Sequence, residues 1–405
     1  MPPLRLMPLW FPPCYNRGVR LTSITLADFR NFQRTTVAPA AGVNVLFGDN
    51  AQGKTNFIDA VHFLTFLRSS RTTRDREVIR HTRHVSELSA SLEGGAGRLT
   101  AKMFLTPTKK FVKVDGTPVL KFHEYIGRMP AHFFFPADLS LVKGEPDVRR
   151  SAIDYEVLRF AAAAYPVYSR FRQALVQRNA LIKDVYPAPS QRPQGRSAEP
   201  PVSLDEAKRL LAYWEEVLVA DGSRIIARRV GLIAEVEPVY LALTEELGEP
   251  SKDLDLKYLS SVGHIIRGTD EKAVADAFKK RLAENQAKER LLRYTTVGPH
   301  RDEVAFLIGG KPMRSFASQG QQRTAVLAFK LALCRRARVE SGEWPILFLD
   351  DALSELDDDR RGRLLDVIGK MGQVFVTVSS AKEMAFIEPF AAKVFRVARG
   401  TIAAV

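Results

Sequence analysis

The 405-residue sequence predicts an α/β fold, with one mixed head built from both ends of the chain and a mostly helical lobe inserted between them. Three observations predict it. Near the start, "GVNVLFGDN" is a short apolar run ending in glycine, and "NFIDAVHFLTFL" soon after has the length and spacing of a buried helix. Near the end, "WPILFLDDALSELDDDRR" is an apolar strand closed by two acids. Between them, from about Arg149 to Arg293, strand signals give way to long helical stretches. A chain of this length buries a substantial core and suggests two or three domains.

Taken in order, residues 1–18, "MPPLRLMPLWFPPCYNRG", are too proline-broken for a signal-peptide core and are expected to be a disordered or loosely attached extension. Residues 19–148 form the first part of the head. There "VRLTSITLADF" reads as a strand, and "FVKVDGTPVLKF" as a hairpin turning at Asp115-Gly116. Residues 149–293 form the lobe, with helices such as "RRSAIDYEVLRFAAAAY" and "DEKAVADAFKKRLAENQAKERLLR". Its Pro- and Ser-rich stretch 186–202 is expected to be a disordered loop. Residues 294–405 complete the head, and "VAFLIGGKPMRSF" repeats the hairpin form around Gly309-Gly310. No internal repeat is visible, and the helical pattern is broken too often for a heptad coiled coil.

The net charge of +14 and pI near 9.8 favour polyanionic partners, nucleic acid first and acidic membrane surfaces second. Only Cys14 and Cys334 occur, so no disulfide framework can be read and a reducing cytosol fits best. No apolar run reaches the roughly 20 residues of a spanning helix, so no membrane partner is expected.

Three motifs carry chemistry. Gly48, Asp49, Asn50, Ala51, Gln52, Gly53, Lys54 and Thr55 satisfy the phosphate-binding pattern G-x4-G-K-[ST] between a strand and a helix. Backbone N–H groups of such a loop face phosphate oxygens, and the helix N-terminus adds partial positive charge. Lys54 is expected to be a surface-loop cation reaching the β- and γ-phosphates, and the Thr55 hydroxyl to ligate Mg²⁺. Asp350, at the end of the second strand, would hold the metal, and Asp351 would orient or polarise the attacking water. In "FASQGQQRTAVLAFKLALC", Ser318, Gln319, Gly320 and Gln321 crowd the start of a helix. This is a second anion-binding terminus, or an N-cap with polar neighbours. If it binds phosphate, it serves a nucleotide held by another copy of the chain.

These motifs occur in the order found in ABC-type ATPases, and the large insert resembles the SMC branch. More narrowly the chain resembles the RecF family, in "LADFRNF", "GDNAQGKTNFIDAVHFL", "SSRTTRDREVI", "FFFPADLSLVKGEPDVRR", "TTVGPHRDEV", "FASQGQQRTAVLAFKLA" and "LFLDDALSELDDDRR". The resemblance spans residues 26 to 363. It implies an ABC-type, SMC-like P-loop ATPase head, with ATP and Mg²⁺ as cofactors. It implies an ATP-dependent homodimer closing over two nucleotides, which binds DNA (single-stranded, duplex or junction) in gap repair. RecO and RecR are the implied partners in loading RecA. Carried over, Lys54 and Asp351 are the catalytic pair, Thr55 and Asp350 the metal ligands, and Asn56 and Arg71 further ATP contacts. Ser318 to Gln321 match the signature that acts in trans, and Ser354 to Asp357 the loop crossing the dimer interface.

Two departures bear on rate. Ser379 and Ser380 stand where many ABC ATPases carry a γ-phosphate-sensing histidine, and "FFFPADLSL" lacks the usual glutamine, for which Asp138 is a candidate substitute. Both imply slow hydrolysis, a switch rather than a motor, and the resemblance implies a weak, DNA-stimulated ATPase releasing ADP and phosphate. Arg68, Arg74, Arg76 and Arg80, with Arg71 among them, are DNA-contact candidates or a solvated basic face. His300 and Arg301 are expected to be structural, buttressing the signature. The competing assignments are a transporter's nucleotide-binding subunit or another SMC-like ATPase.

Overall fold

The computed structural model describes residues 18–185 and 204–405. Apart from Gly18, which bridges to Trp344, the expected loose extension lies outside them, as does the expected loop 186–202. The head is layered on two sheets. One is antiparallel, in the order β2-β1-β4-β5-β6-β7, from β1 (Arg20–Phe29), β2 (Phe32–Val37), β4 (Ser86–Gly94), β5 (Gly97–Leu105), β6 (Lys110–Val114) and β7 (Thr117–Val119). The other runs β15-β14-β3-β13-β12-β8 and joins both chain ends. It comprises β3 (Val43–Phe47), β8 (Ala131–Phe134), β12 (Ile346–Leu349), β13 (Val374–Val378), β14 (Ala391–Ala398) and β15 (Thr401–Ala404). All its pairings are parallel except β14 with β15.

Apolar sequence explains the layering. "VNVLF", "ILFL" and "VFVTV" are buried almost throughout, as strands covered on both faces must be. Successive side chains alternate between two cores. Val43, Val45, Leu347, Leu349, Val374 and Val376 face one core; Leu46, Phe348 and Phe375 face the other. The second core holds α1 (Lys54–Phe66) against the antiparallel sheet, through Phe57, Ile58, Val61 and Leu64. The first packs α9 (Gln319–Ser341) and α10 (Asp358–Ile368) against the parallel sheet, with α11 (Ala381–Ile387) at its margin.

The inserted stretch contributes α4 (Pro146–Phe160), α5 (Tyr165–Val185), α6 (Leu204–Glu246) and α7 (Glu271–Leu292). It also holds β9 (Leu254–Leu259), which pairs with β10 (Glu303–Ile308) in a small sheet finished by β11 (Lys311–Pro312). Single turns α2 (Phe122–Tyr125), α3 (Ser140–Lys143) and α8 (Met313–Phe316) fill connections. With 43 residues, α6 is about 65 Å long. Its first half packs in a third core with Phe171, Phe278 and Val297, and its second half, from Leu232 to Leu243, in the head core beside α9. One helix therefore belongs to lobe and head at once.

Candidate nucleotide site

The phosphate loop follows β3 and ends at α1. Gly53 has φ +124°, and a Cβ at Gly48 would lie 2.2 Å from the Val397 carbonyl oxygen, so neither position accommodates a side chain as it stands. A hydrogen-bonded framework holds the loop from outside. The Asn31 side-chain amide donates to the Gln52 carbonyl at 2.9 Å, and Gln52 Oε1 accepts from Arg399 N–H at 2.8 Å. Asn56 donates to Asn31 Oδ1 at 2.8 Å and accepts from Arg71 Nη1 at 3.1 Å.

Lys54 is not the surface-loop cation that its motif suggests. It is 8% exposed and donates through Nζ to the carbonyls of Gly48 and, at 2.8 Å, Asp49. A buried ammonium must find acceptors, and the loop's own carbonyls provide them. Burial lowers its pKa below the ordinary lysine range, while Asp350 and Asp351 pull it back up.

Both acids sit just beyond β12. Asp350 is 2% exposed; burial raises its pKa, opposed by hydrogen bonds from Thr55 and Thr377. Thr377 Oγ1 donates to Asp350 Oδ1 at 2.9 Å and accepts from Asp351 N–H at 2.8 Å, fixing the pair in register. Asp351 sits at φ +54°, a left-handed conformation that non-glycine residues adopt sparingly, and burial raises its pKa too. A hydroxyl and a hard carboxylate, Thr55 and Asp350, already share a hydrogen bond, so the pair suits Mg²⁺.

A cavity of about 1870 Å³ opens over these groups. Lys54, Thr55, Asn56, Arg71, Asp350 and Asp351 line it, and so do Asn50, Ala51 and Gly53. Arg68, Arg76 and Arg80 lie along its rim, whereas Arg74 is outside it, 3.7 Å from Glu77. The arginine segment begins on a fixed base. Buried Asp59 accepts hydrogen bonds from Arg30, Ser69 and Ser70, and although burial opposes ionisation, these partners hold its pKa below the ordinary range.

Neither Ser318 to Gln321 nor Ser354 or Asp357 lines that cavity. Ser318 is the N-cap of α9. Its Oγ accepts from Gln321 N–H at 3.2 Å, and Gln321 Oε1 accepts from Ser318 N–H at 2.9 Å. Gln321 Nε2 also donates to Glu249 Oε1 at 2.7 Å, and the other Glu249 oxygen accepts from Arg360 at 2.7 Å. Arg360 in turn lies 3.6 Å from Asp357. Ser354 Oγ donates to the Asp351 carbonyl at 3.2 Å, so the loop after β12 spans from acid pair to signature side.

Three expectations need correcting or refining. His300 and Arg301 do not reach the signature; both bond to the Thr295 carbonyl, and the His300 ring lies 5.9 Å from Phe171 of α5. Arg229 of α6 donates to the Pro299 carbonyl at 2.5 Å, a further contact between this loop and the lobe. Asp138 lines the cavity but is engaged by Lys330 of α9 at 2.9 Å. Ser380 caps α11, and its neighbour Ser379 donates to Glu383. Sequence reasoning missed Asn31, Thr377 and Glu249. Thr377 left a visible mark, as the one polar residue within apolar β13.

Comparison with known proteins identifies the family and the fold. The RecF/RecN/SMC N-terminal domain model matches residues 20–402. A DNA replication and repair protein RecF of Thermosynechococcus vestitus is 39% identical over 95% of this chain and 97% of its own. The RecF of Oenococcus oeni is 36% identical over 94% of this chain and 99% of its own. Among solved structures, the recombination mediator protein RecF with ATP, described as part of the RecFOR pathway, has a TM-score of 0.82 at 26% identity, covering 98% of this chain and 100% of that one. An Smc head domain from Pyrococcus yayanosii, 13% identical with a TM-score of 0.55 and covering 96% of this chain and 97% of that one, shares the fold. By fold and by relatives alike, the chain belongs to the RecF family, an ABC-type, SMC-like branch of the P-loop ATPases.

Proposed function

We propose that this protein is an ATP-gated DNA clamp of recombinational repair and replication-gap processing in the cytoplasm, which acts with RecO and RecR to load RecA. The observation that carries the reading is the division of the site. Phosphate loop and acid pair share one cavity, while the capped terminus of α9 lies outside it. Two copies arranged head to head bring the terminus of one to the cavity of the other. The lobe 149–293 then acts as an arm, linked to the head by α6.

In this reading Lys54 exchanges its loop carbonyls for phosphate oxygens, and the loop N–H groups hold the rest of the triphosphate. Thr55 and Asp350 would hold Mg²⁺, which when bound neutralises charge on the phosphate oxygens. Asp351 accepts a proton from the attacking water, aimed by its strained backbone and by Thr377. Arg71, fixed by Asn56, contacts the nucleoside, and the outlying arginines meet DNA phosphates. Hydrolysis at a slow rate reopens the dimer.

The test is sedimentation with and without ATP and DNA. ATP should convert monomer to dimer and dimer should bind DNA, whereas Lys54→Ala should remain monomeric while still melting in one cooperative transition, shifted only by the loss of its two loop contacts. An unchanged dimer fraction at saturating ATP would reject the role of Lys54. A transporter subunit would dimerise without binding DNA.

A further inference from the structure

The outer face of the antiparallel sheet carries residues that the nucleotide site does not use. Register places Phe104 of β5 opposite Phe111 of β6, and Lys102 opposite Lys113, which in turn faces Pro118 of β7. Leu120 follows directly on Val119, the last residue of β7, which pairs with Val112. Side chains alternate across a strand, so Met103 and Val112 enter the core and these residues stand outside. Phe111 is 53% exposed and Leu120 88%. Phe104, the cross-strand partner of Phe111, is half-buried.

Charge surrounds this apolar row. Lys109, Lys113 and Lys121 are exposed, and none has an ion-pair partner among the described residues. Lys102 lies 2.7 Å from Glu87 and 4.9 Å from the Phe104 ring centroid. Of the nearby acids, Glu87 pairs with Lys102, and Asp115 accepts from the Thr100 N–H at 2.7 Å. Aromatic faces interleaved with uncommitted lysines suit a polyanion with stackable rings. Lysine is depleted at protein–protein interfaces, and β7 is a three-residue edge carrying Pro118, which discourages addition of a protein strand.

We propose that the outer face of β5–β7 is a stacking platform for single-stranded DNA. A base stacks on the exposed Phe111, with Leu120 and the Lys102-covered Phe104 beside it, and Lys109, Lys113 and Lys121 meet the phosphates. A duplex keeps its bases stacked inside and could use only the lysines. The platform is on a different sheet from the parallel one that carries the phosphate loop, so strand capture here does not compete with nucleotide. The inference rests on the DNA-binding reading above only for the identity of the polyanion.

Fluorescence anisotropy on the full chain with ATP, using labelled oligo(dT) and a labelled duplex, tests it. Phe111→Ala should weaken oligo(dT) binding about tenfold, the effect of one lost stacking contact, and leave duplex binding unchanged. Lys109→Gln and Lys113→Gln should each flatten the salt dependence on oligo(dT) by about 0.7 log unit per log unit of salt. Phe111→Trp guards against a loosened hairpin. It should keep oligo(dT) affinity and add a fluorescence that oligo(dT) quenches. Unchanged oligo(dT) affinity in Phe111→Ala, or no added quench in Phe111→Trp, overturns the platform. A wild-type protein that binds neither probe overturns the DNA reading itself.

Discussion

At Asp351 the same burial that raises the pKa also defines what the carboxylate can do. Burial is the leading cause of the raised values at Asp350 and Asp351, so each ionises at a higher pH than a solvated aspartate. A general base must be ionised to work. The acidic limb of the hydrolysis profile should therefore fall at a higher pH than a solvated aspartate would give. Asp351→Asn should keep ATP binding and dimerisation while lowering hydrolysis about 100-fold or more, as measured by single-turnover phosphate release. The stability sign is separate. A carboxyl whose folded pKa exceeds its unfolded value costs stability as pH rises through that interval, and the cost persists above it. Asparagine escapes the cost, so the variant should melt no lower than the parent at neutral pH. Loss of nucleotide binding in this variant would move Asp351 from the base to the binding machinery.

Among the elements, α9 shows what local sequence could and could not tell. The cap was legible because Ser318 and Gln321 are three residues apart, as a capping box requires. The strand–loop–helix at Gly48 to Thr55 was legible for the same reason, since spacing alone carries it. Glu249 was not, because it meets Gln321 across 72 residues and Arg360 across 111. The β9–β10 pairing and the double membership of α6 in two cores were hidden likewise, since both depend on long-range packing. Lys54 was misread because motif spacing gives a residue's target and says nothing of its burial. Glu249 also has a mechanical consequence. Lying just beyond α6, it ties the lobe's long helix to α9 through Gln321 and to α10 through Arg360. Glu249→Gln keeps an acceptor for one partner and leaves Arg360 without its charge. The pair is partly exposed, so the cost should be about 1–2 kcal/mol, below that of a fully buried pair. The expected outcome is weaker ATP-dependent dimerisation with unchanged nucleotide affinity in the monomer, read by titration with a fluorescent nucleotide. Equal loss of both would mean that the network supports the whole head.

For the whole molecule the question is whether two copies complete each other's sites. The cavity of one chain contains Lys54, Thr55, Asp350 and Asp351 but no part of Ser318 to Gln321. If each nucleotide lies between one cavity and the other copy's α9 terminus, a defect on either side disables every site of a homodimer. Lys54→Ala and Ser318→Arg proteins should then each hydrolyse almost nothing. The arginine both removes the cap, worth about 1 kcal/mol, and fills the space where the two copies must approach. In a mixed dimer the two defects fall together in one site, and the other site has an intact phosphate loop facing an intact terminus. Mixing the inactive proteins should restore DNA-stimulated phosphate release, with a maximum near equal amounts. A cap acting only within its own chain predicts no such recovery, since each chain would carry its own lesion into any dimer. Crosslinking shows whether mixed dimers form. Mixed dimers without recovery would mean either that the sites are completed within one chain or that both must close before either works. Mixing the Lys54→Ala, Ser318→Arg double variant with wild type separates the two: one working site requires activity from that mixed dimer, and obligate cooperation requires none.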